Sequence, residues 1–190
     1  SNTSLAARSV AAITSPSTAA AGTVFPLAIA KCMYDTYWDA GAGQPKTAQS
    51  VWMAGFDLPQ TVGQPLLFKV TSLYKVGTCQ TGAWSSLDSS NPAQGASKVQ
   101  WNLTPMTVGQ KTPLLSGTKD SIYKSVSECS ASGTKACEFV LMPIVDSVAS
   151  NSYGVINGWA CVRVVSASSQ GADKYVAVQM VASTAHCNVA

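Results

Sequence analysis

The chain is 190 residues long, carries a formal net charge of +3 and has only 11% charged residues, well under the ~25% of an ordinary globular protein. One domain accommodates that length, with roughly 70% of the unfolded chain's surface buried on folding. Two arginines, Arg8 and Arg163, and scattered lysines leave no basic stripe to follow a phosphate backbone, which argues against nucleic acid as a partner.

Residues 1–22 are Ala-rich and alternate weakly. Leu5, Ala7, Ser9, Ala11 and Ile13 would line one face of a strand that frays at Ser15 and Pro16, although the alanines also suit a helix. Residues 23–29 read TVFPLAI, a short apolar run whose proline predicts an edge or bulged strand. Met33, Tyr34, Tyr37 and Trp38 recur at helical spacing, so a short amphipathic helix is expected from Ala30 to near Gly41. Residues 51–56 and 66–74 carry β-type side chains. In the second run Phe68, Val70, Ser72 and Tyr74 alternate with Leu67, Lys69, Thr71 and Leu73, as in a half-buried strand. Trp84 stands in the turn-rich passage TGAWSSLDSSNPAQG and is expected to anchor a loop to the core. Residues 98–103 and 112–115 are brief apolar interruptions, and 121–126 suit a helical turn or a strand.

Residues 139–145, FVLMPIV, are too short for a core helix and read as a buried strand in which Pro143 again predicts an edge or a bulge. Edges of this kind would offer a partner strand a place to pair, with Val24 and Leu141 as the residues to test. A hairpin is expected next, with 153–156 and 159–165 joined by a type I′ turn on Asn157 and Gly158, because both residues tolerate positive φ. Residues 175–182 supply a third strand and complete a β-meander. The whole pattern predicts a mainly β fold, an antiparallel sandwich or partly open barrel with one or two short helices, in one domain spanning 1–190. The competing architecture is α+β, with 30–40 and 118–127 as helices over a sheet.

Six cysteines, Cys32, Cys79, Cys129, Cys137, Cys161 and Cys187, occur without a CxxC pair and with a single histidine, His186. Zinc sites need closely spaced Cys or His pairs, so the set reads as three disulfides in an oxidising compartment. Cys129 and Cys137 close a short loop suited to a hairpin tip. The most local pairing of the remainder is Cys161 with Cys187 and Cys32 with Cys79. No run reaches 18 apolar residues and no basic n-region precedes an apolar core, so neither a membrane span nor a signal peptide is expected in this chain. An exported protein needs one, which suggests a soluble fragment trimmed of an N-terminal export or anchor segment, with Ser1 and Asn2 left from its preparation.

Candidate chemistry is sparse. His186 adjoins Cys187 in sequence, and neighbouring side chains point apart, so an exposed terminal residue is the better reading than a catalytic pair. Neither GxSxG nor GxxxxGK[ST] occurs. Asp35 and Asp39 would share a helix face, and Asp88 and Asp146 close apolar or aromatic runs. Without a DxDxDG loop, turn capping is favoured over calcium binding. Trp38, Trp52, Trp84, Trp101 and Trp159 could make sugar-stacking platforms but are expected in the core, with Trp84 or Trp101 the ones to consider for surface recognition. No catalytic residue, metal or cofactor is expected.

In their order along the chain, the motifs AARSVAAI, TVFPLAI, LFKVTSLY, TGAWSSLD, LLSGTK, VLMPIVDS, VINGWACVRVV and KYVAVQMVA resemble the extracytoplasmic C-terminal region of TadG-like proteins of bacterial tight-adherence (Flp) pilus assembly. The resemblance runs over nearly the whole chain. It implies a location outside the cytoplasmic membrane, in the periplasm or at the cell surface. The family's N-terminal membrane helix, which this chain lacks, would be the only contact with a membrane. It also implies a role in adhesion or biofilm formation through contacts with other pilus or secretion-apparatus proteins, and it offers no catalytic residue to carry over. The alternative from a different class is a secreted carbohydrate-binding or hydrolytic domain.

Overall fold

The computed structural model describes residues 17–71, 79, 82–89, 98–115, 120–148, 152–170 and 174–187. The strand expected at the N-terminus lies outside them. In chain order the elements are β1 (Thr18–Ala19), β2 (Leu27–Ala30), α1 (Lys31–Tyr37), β3 (Trp38–Asp39), β4 (Gln44–Pro45), β5 (Leu67–Val70) and β6 (Gly82–Trp84). There follow β7 (Met106–Thr107), β8 (Lys111–Leu114), α2 (Asp120–Cys129), β9 (Phe139–Val145), β10 (Ser152–Ser168), β11 (Tyr175–Met180) and a 3-10 turn, Thr184–Cys187. The fold is mainly β with two short helices. Its principal sheet has seven strands, ordered β5-β11-β10-β9-β2-β6, with β8 added to β10.

The meander β9-β10-β11 is antiparallel throughout, but it contains no turn at Asn157 and Gly158. β10 runs unbroken through both residues, and the register against β9 steps from Ile156↔Val145 to Gly158↔Ile144. Asn157 is therefore the extra residue of a β-bulge. Neither residue has positive φ, so the backbone state that a type I′ turn demands is not used. Above the bulge β10 changes partner: Ser152 to Val155 pair with β8 instead.

The two proline-bearing runs are not edges. β9 sits between β10 and β2, and it pairs with β2 in parallel. Val24 bridges Leu141, with Phe25 N–H donating to Leu141 C=O (2.8 Å) and Leu141 N–H to Thr23 C=O (3.3 Å). Continuing that register by two residues sets Pro26 against Pro143. Backbone N–H groups alternate sides along a strand, so the donor that Pro143 lacks is the one that would have faced β2. Leu27 N–H turns back to Phe25 C=O (2.8 Å), closing a tight turn over Pro26. Pairing then resumes at Ile29↔Ile144. Two prolines that each disqualify a ladder rung thus share one rung, which is why they are tolerated at the sheet's centre. Val24 and Leu141 are buried, so neither is available to a partner strand.

The sheet curls strongly without closing into a barrel. Its outermost strands approach where Gly82 N–H donates to Thr71 C=O (2.8 Å). Inside the curl lies the main core, built on Phe25, Leu27, Ile29, Phe68, Val70, Trp84, Val140, Met142, Val162 and Val178. α1 contributes Met33 and Tyr37 to it, and Tyr37 stacks on Phe68 at 3.7 Å. α2 contributes Ile122, Tyr123 and Val126, an i, i+1, i+4 stripe. Each fully buried large side chain of this kind contributes about 1.5–3 kcal/mol. The other face of the sheet carries a smaller cluster of Val24, Leu87, Met106, Leu141, Ile156, Trp159 and Cys161.

Several local expectations are corrected. The first helix ends at Tyr37, because Trp38 is already extended (φ −112°, ψ 130°); Asp39 therefore lies in β3 and shares no helix face with Asp35. Residues 51–56 form turns and bends with no strand, since Gly55 takes φ of +84°. Trp84 ends a strand and is buried against Tyr123 in an edge-on contact (5.4 Å). Residues 121–126 belong to α2. The loop between Cys129 and Cys137 joins α2 to β9 and is no hairpin tip.

Three disulfides join Cys32 to Cys79, Cys129 to Cys137 and Cys161 to Cys187, with Cα separations of 5.4, 5.0 and 6.0 Å. They tie down α1, the end of α2 and the C-terminal turn respectively. Each bridge contributes on the order of 2–4 kcal/mol, so reduction should lower the melting temperature markedly, and free thiols detected by mass in unreduced, denatured protein would contradict the pairing. A sharper test is Gly82→Ala. A Cβ there would meet Val70 Cγ1 at 2.7 Å and the Ala28 carbonyl at 2.8 Å, and backbone cannot yield as a side chain can. The expected loss is about 1–3 kcal/mol by denaturant titration; wild-type stability would show that the outer strands do not approach this closely.

Candidate functional site

The residues marked by the sequence do not converge. His186 lies in the C-terminal turn with its ring stacked on Phe139 (4.9 Å between centroids). Its sequence neighbour Cys187 is in a disulfide. Glu138 holds Arg163 Nε at 3.0 Å. Asp35 pairs with Lys31 at i, i+4 (2.8 Å), and Asp39 accepts Ala42 N–H (3.1 Å) in a turn. Asp146 accepts Asn157 Nδ2 at the bulge. Among the described residues no group of three or more His, Cys, Asp and Glu is arranged to hold a metal ion.

Asp88 shows what capping does here. One carboxylate oxygen accepts Leu103 N–H (2.8 Å), and the other accepts both Thr104 N–H and the Thr104 hydroxyl (2.7 Å each). Partial burial pushes this carboxyl's pKa up, but these hydrogen bonds outweigh it and hold the pKa below its ordinary value. Next to it, buried Asn102 uses its whole amide. Oδ1 accepts from Thr23 and Val24 N–H (3.1 and 3.0 Å), and Nδ2 donates to Ala20 and Thr104 carbonyls (3.0 and 2.8 Å). Asn102 thus locks its own segment onto the one that enters β2, and Asp88 ties Leu103 and Thr104 to the segment that leaves β6.

Among the described residues, two surface features stand out for recognition. The first is an arm over residues 46–66, whose two plies are tied by Ala48 N–H to Gln64 C=O (2.9 Å), Gly63 N–H to Ala48 C=O (2.8 Å) and Gln60 N–H to Val51 C=O (2.7 Å). Buried Gln60 fastens it to β5, accepting Leu67 N–H at Oε1 and donating Nε2 to the Leu67 carbonyl, both at 2.7 Å. This well-tied arm exposes Val51 (48%), Trp52 (68%) and Val62 (59%), and Asp57 is the only charge between Thr47 and Phe68. From sequence, Trp52 is expected in the core by default. The contrary signal was its company: it stands among Gly55, Pro59 and Gly63 in a passage with no regular apolar period. By contrast Trp84 is buried in the core and unavailable at the surface, while Trp101 is half-buried and packs edge-on against Phe25 (6.2 Å).

The second feature is a cleft of about 200 Å³ between α1 and the β10 bulge, lined by Lys31, Tyr34, Asp35, Ile144, Asn157, Gly158 and Trp159. Tyr34 stacks on Trp38 (5.7 Å). Burial, and then the charge of Asp35, raise the pKa of its hydroxyl. The hydrogen bond to Asp35 raises that of Lys31. Tyr34 therefore stays neutral and Lys31 charged at physiological pH. Comparison with family models, with curated proteins and with solved structures gave no match.

Asp88 supplies a pH test. Its folded pKa is depressed, so the stability it confers is present above its unfolded value near pH 4 and disappears as pH falls through the lower folded value. Asp88→Asn should therefore be less stable than wild type at pH 7, and the gap should narrow on acidification. Equal slopes of stability against pH for the two proteins would rule out this role.

Proposed function

We propose that this is a non-catalytic extracytoplasmic domain that works by protein contact, as a TadG-like component of bacterial tight-adherence pilus assembly acting in adhesion or biofilm formation. The observation that carries the contact reading is the arm. Three large apolar side chains stand exposed on a segment secured by backbone and Gln60 hydrogen bonds. Leaving a tryptophan in water forgoes the burial that drives folding, whereas a tryptophan held ready suits the centre of a protein interface. A rigid arm also loses little conformational entropy on docking. The near absence of charge suits the desolvated core of such an interface.

Three disulfides are consistent with an oxidising compartment outside the cytoplasm. The non-catalytic reading draws on what the ionisable groups are doing: Asp88, Asp35, Glu138 and His186 are each committed to a structural partner. The pilus system itself is supported by the order of motifs along the chain. In that reading the partners are other pilus or secretion-apparatus proteins, and the membrane is reached only through an N-terminal anchor outside this chain.

The experiment is a chromosomal Trp52→Ala, Val62→Ser double substitution in the parent strain. Because both side chains are exposed, the variant's melting temperature should match wild type while appendage assembly and surface adherence are lost. Normal piliation and adherence in that strain would overturn the proposal.

A further inference from the structure

We propose that the cleft between α1 and the β10 bulge is a binding site for a single neutral pyranose ring of a carbohydrate. The site arises from strand register. Ala30 pairs with Val145, so the chain leaves β2 into α1 at Lys31 just where β9 ends at Val145, with Asp146 next. The bulge makes Asn157 the extra residue of β10 beside that end, bonded to Asp146. Gly158 follows, paired with Ile144, and it has no side chain to cover the floor: a Cβ there would already touch Ile144 Cδ1 at 3.8 Å. A larger residue at position 158 would fill the space that the cleft occupies.

The lining matches a sugar's two kinds of surface. A pyranose presents an apolar C–H face and a rim of hydroxyls that both donate and accept. Tyr34, backed by the stacked Trp38, and Ile144 give the cleft aromatic and aliphatic walls. Lys31, Asp35 and Asn157 give it donors and acceptors on opposite sides. The Lys31 ammonium has three N–H groups and the Asp35 carboxylate two oxygens, and the bond between them uses one of each. More than half of each of these side chains is exposed. The lining charges cancel, which suits a neutral polyol over an anion. At about 200 Å³ the cleft falls below the ~300–1,000 Å³ of drug-sized pockets, so one ring is its natural occupant. None of its residues belongs to the 46–66 arm, and the proposal stands or falls independently of the pilus reading.

The test is amide-resolved NMR titration of the whole domain with glucose, galactose, mannose and N-acetylglucosamine, with acetate and tetramethylammonium as charged controls. Saturable shifts with at least one hexose, confined to residues 31–35, 144 and 157–159, are expected. Gly158→Leu should abolish them, and Asp35→Ala, on the exposed face of α1, should weaken binding about tenfold, as loss of one charged hydrogen bond would. If Gly158→Leu does not fold, Asp35→Ala alone decides. No saturable shift with any hexose, a stronger response to either charged control, or hexose binding unchanged in Asp35→Ala would each overturn the assignment.

Discussion

Everything in this domain hangs on the continuity of β10. Its seventeen residues hold β8 along the first four, β9 through the middle and β11 along the last seven. The bulge at Asn157 is what lets one strand serve these partners, because an extra residue adds local twist and bends the strand. A hairpin turn at the same point would have left β8 without its neighbour and the sheet as a short, flat meander. The curl that encloses the main core, the burial of Val24 and Leu141, and the α1 cleft all follow from β10 passing through those two residues as a strand.

Around that framework, irregular segments are held by polar side chains that spend all or most of their bonding capacity. Asn102 makes four hydrogen bonds, Asp88 three and Gln60 three. A buried amide or carboxylate left partly unsatisfied is costly, whereas a satisfied one fixes its surroundings in a single geometry. Disulfides act on other segments, tying down α1, the end of α2 and the C-terminal turn. The outcome, in a chain with few charges, is that the 46–66 arm and residues 102–104 are each held by several hydrogen bonds, and the arm can hold a tryptophan in solvent for that reason.

The β-rich class, the two short helices and the three C-terminal strands are visible in the sequence because they depend on local apolar period and turn residues. What misled were signals whose meaning depends on a partner. Pro26 and Pro143 each read as marks of an edge, and only their meeting on one rung explains a central position. Asn157 and Gly158 carry the strongest short hairpin signature, yet the pairing of β8 and β9 on either side outweighs that local preference. At the cleft, Lys31 is distant in sequence from Asn157 and Gly158 and meets them through register alone. Trp52 was legible in principle: a large aromatic set among turn residues, outside any periodic run, has nothing local to bury it.

The most direct test of this account is native-state hydrogen exchange along β10. If the strand is continuous, the amides of Ile156, which donates to Gln110, and Val164, which donates to Glu138, belong to one cooperative unit and exchange with the same free energy as the centre of β9. Fast, independent exchange of residues 152–157, with protection beginning only at Trp159, would mean that the chain turns at Asn157 and Gly158 after all.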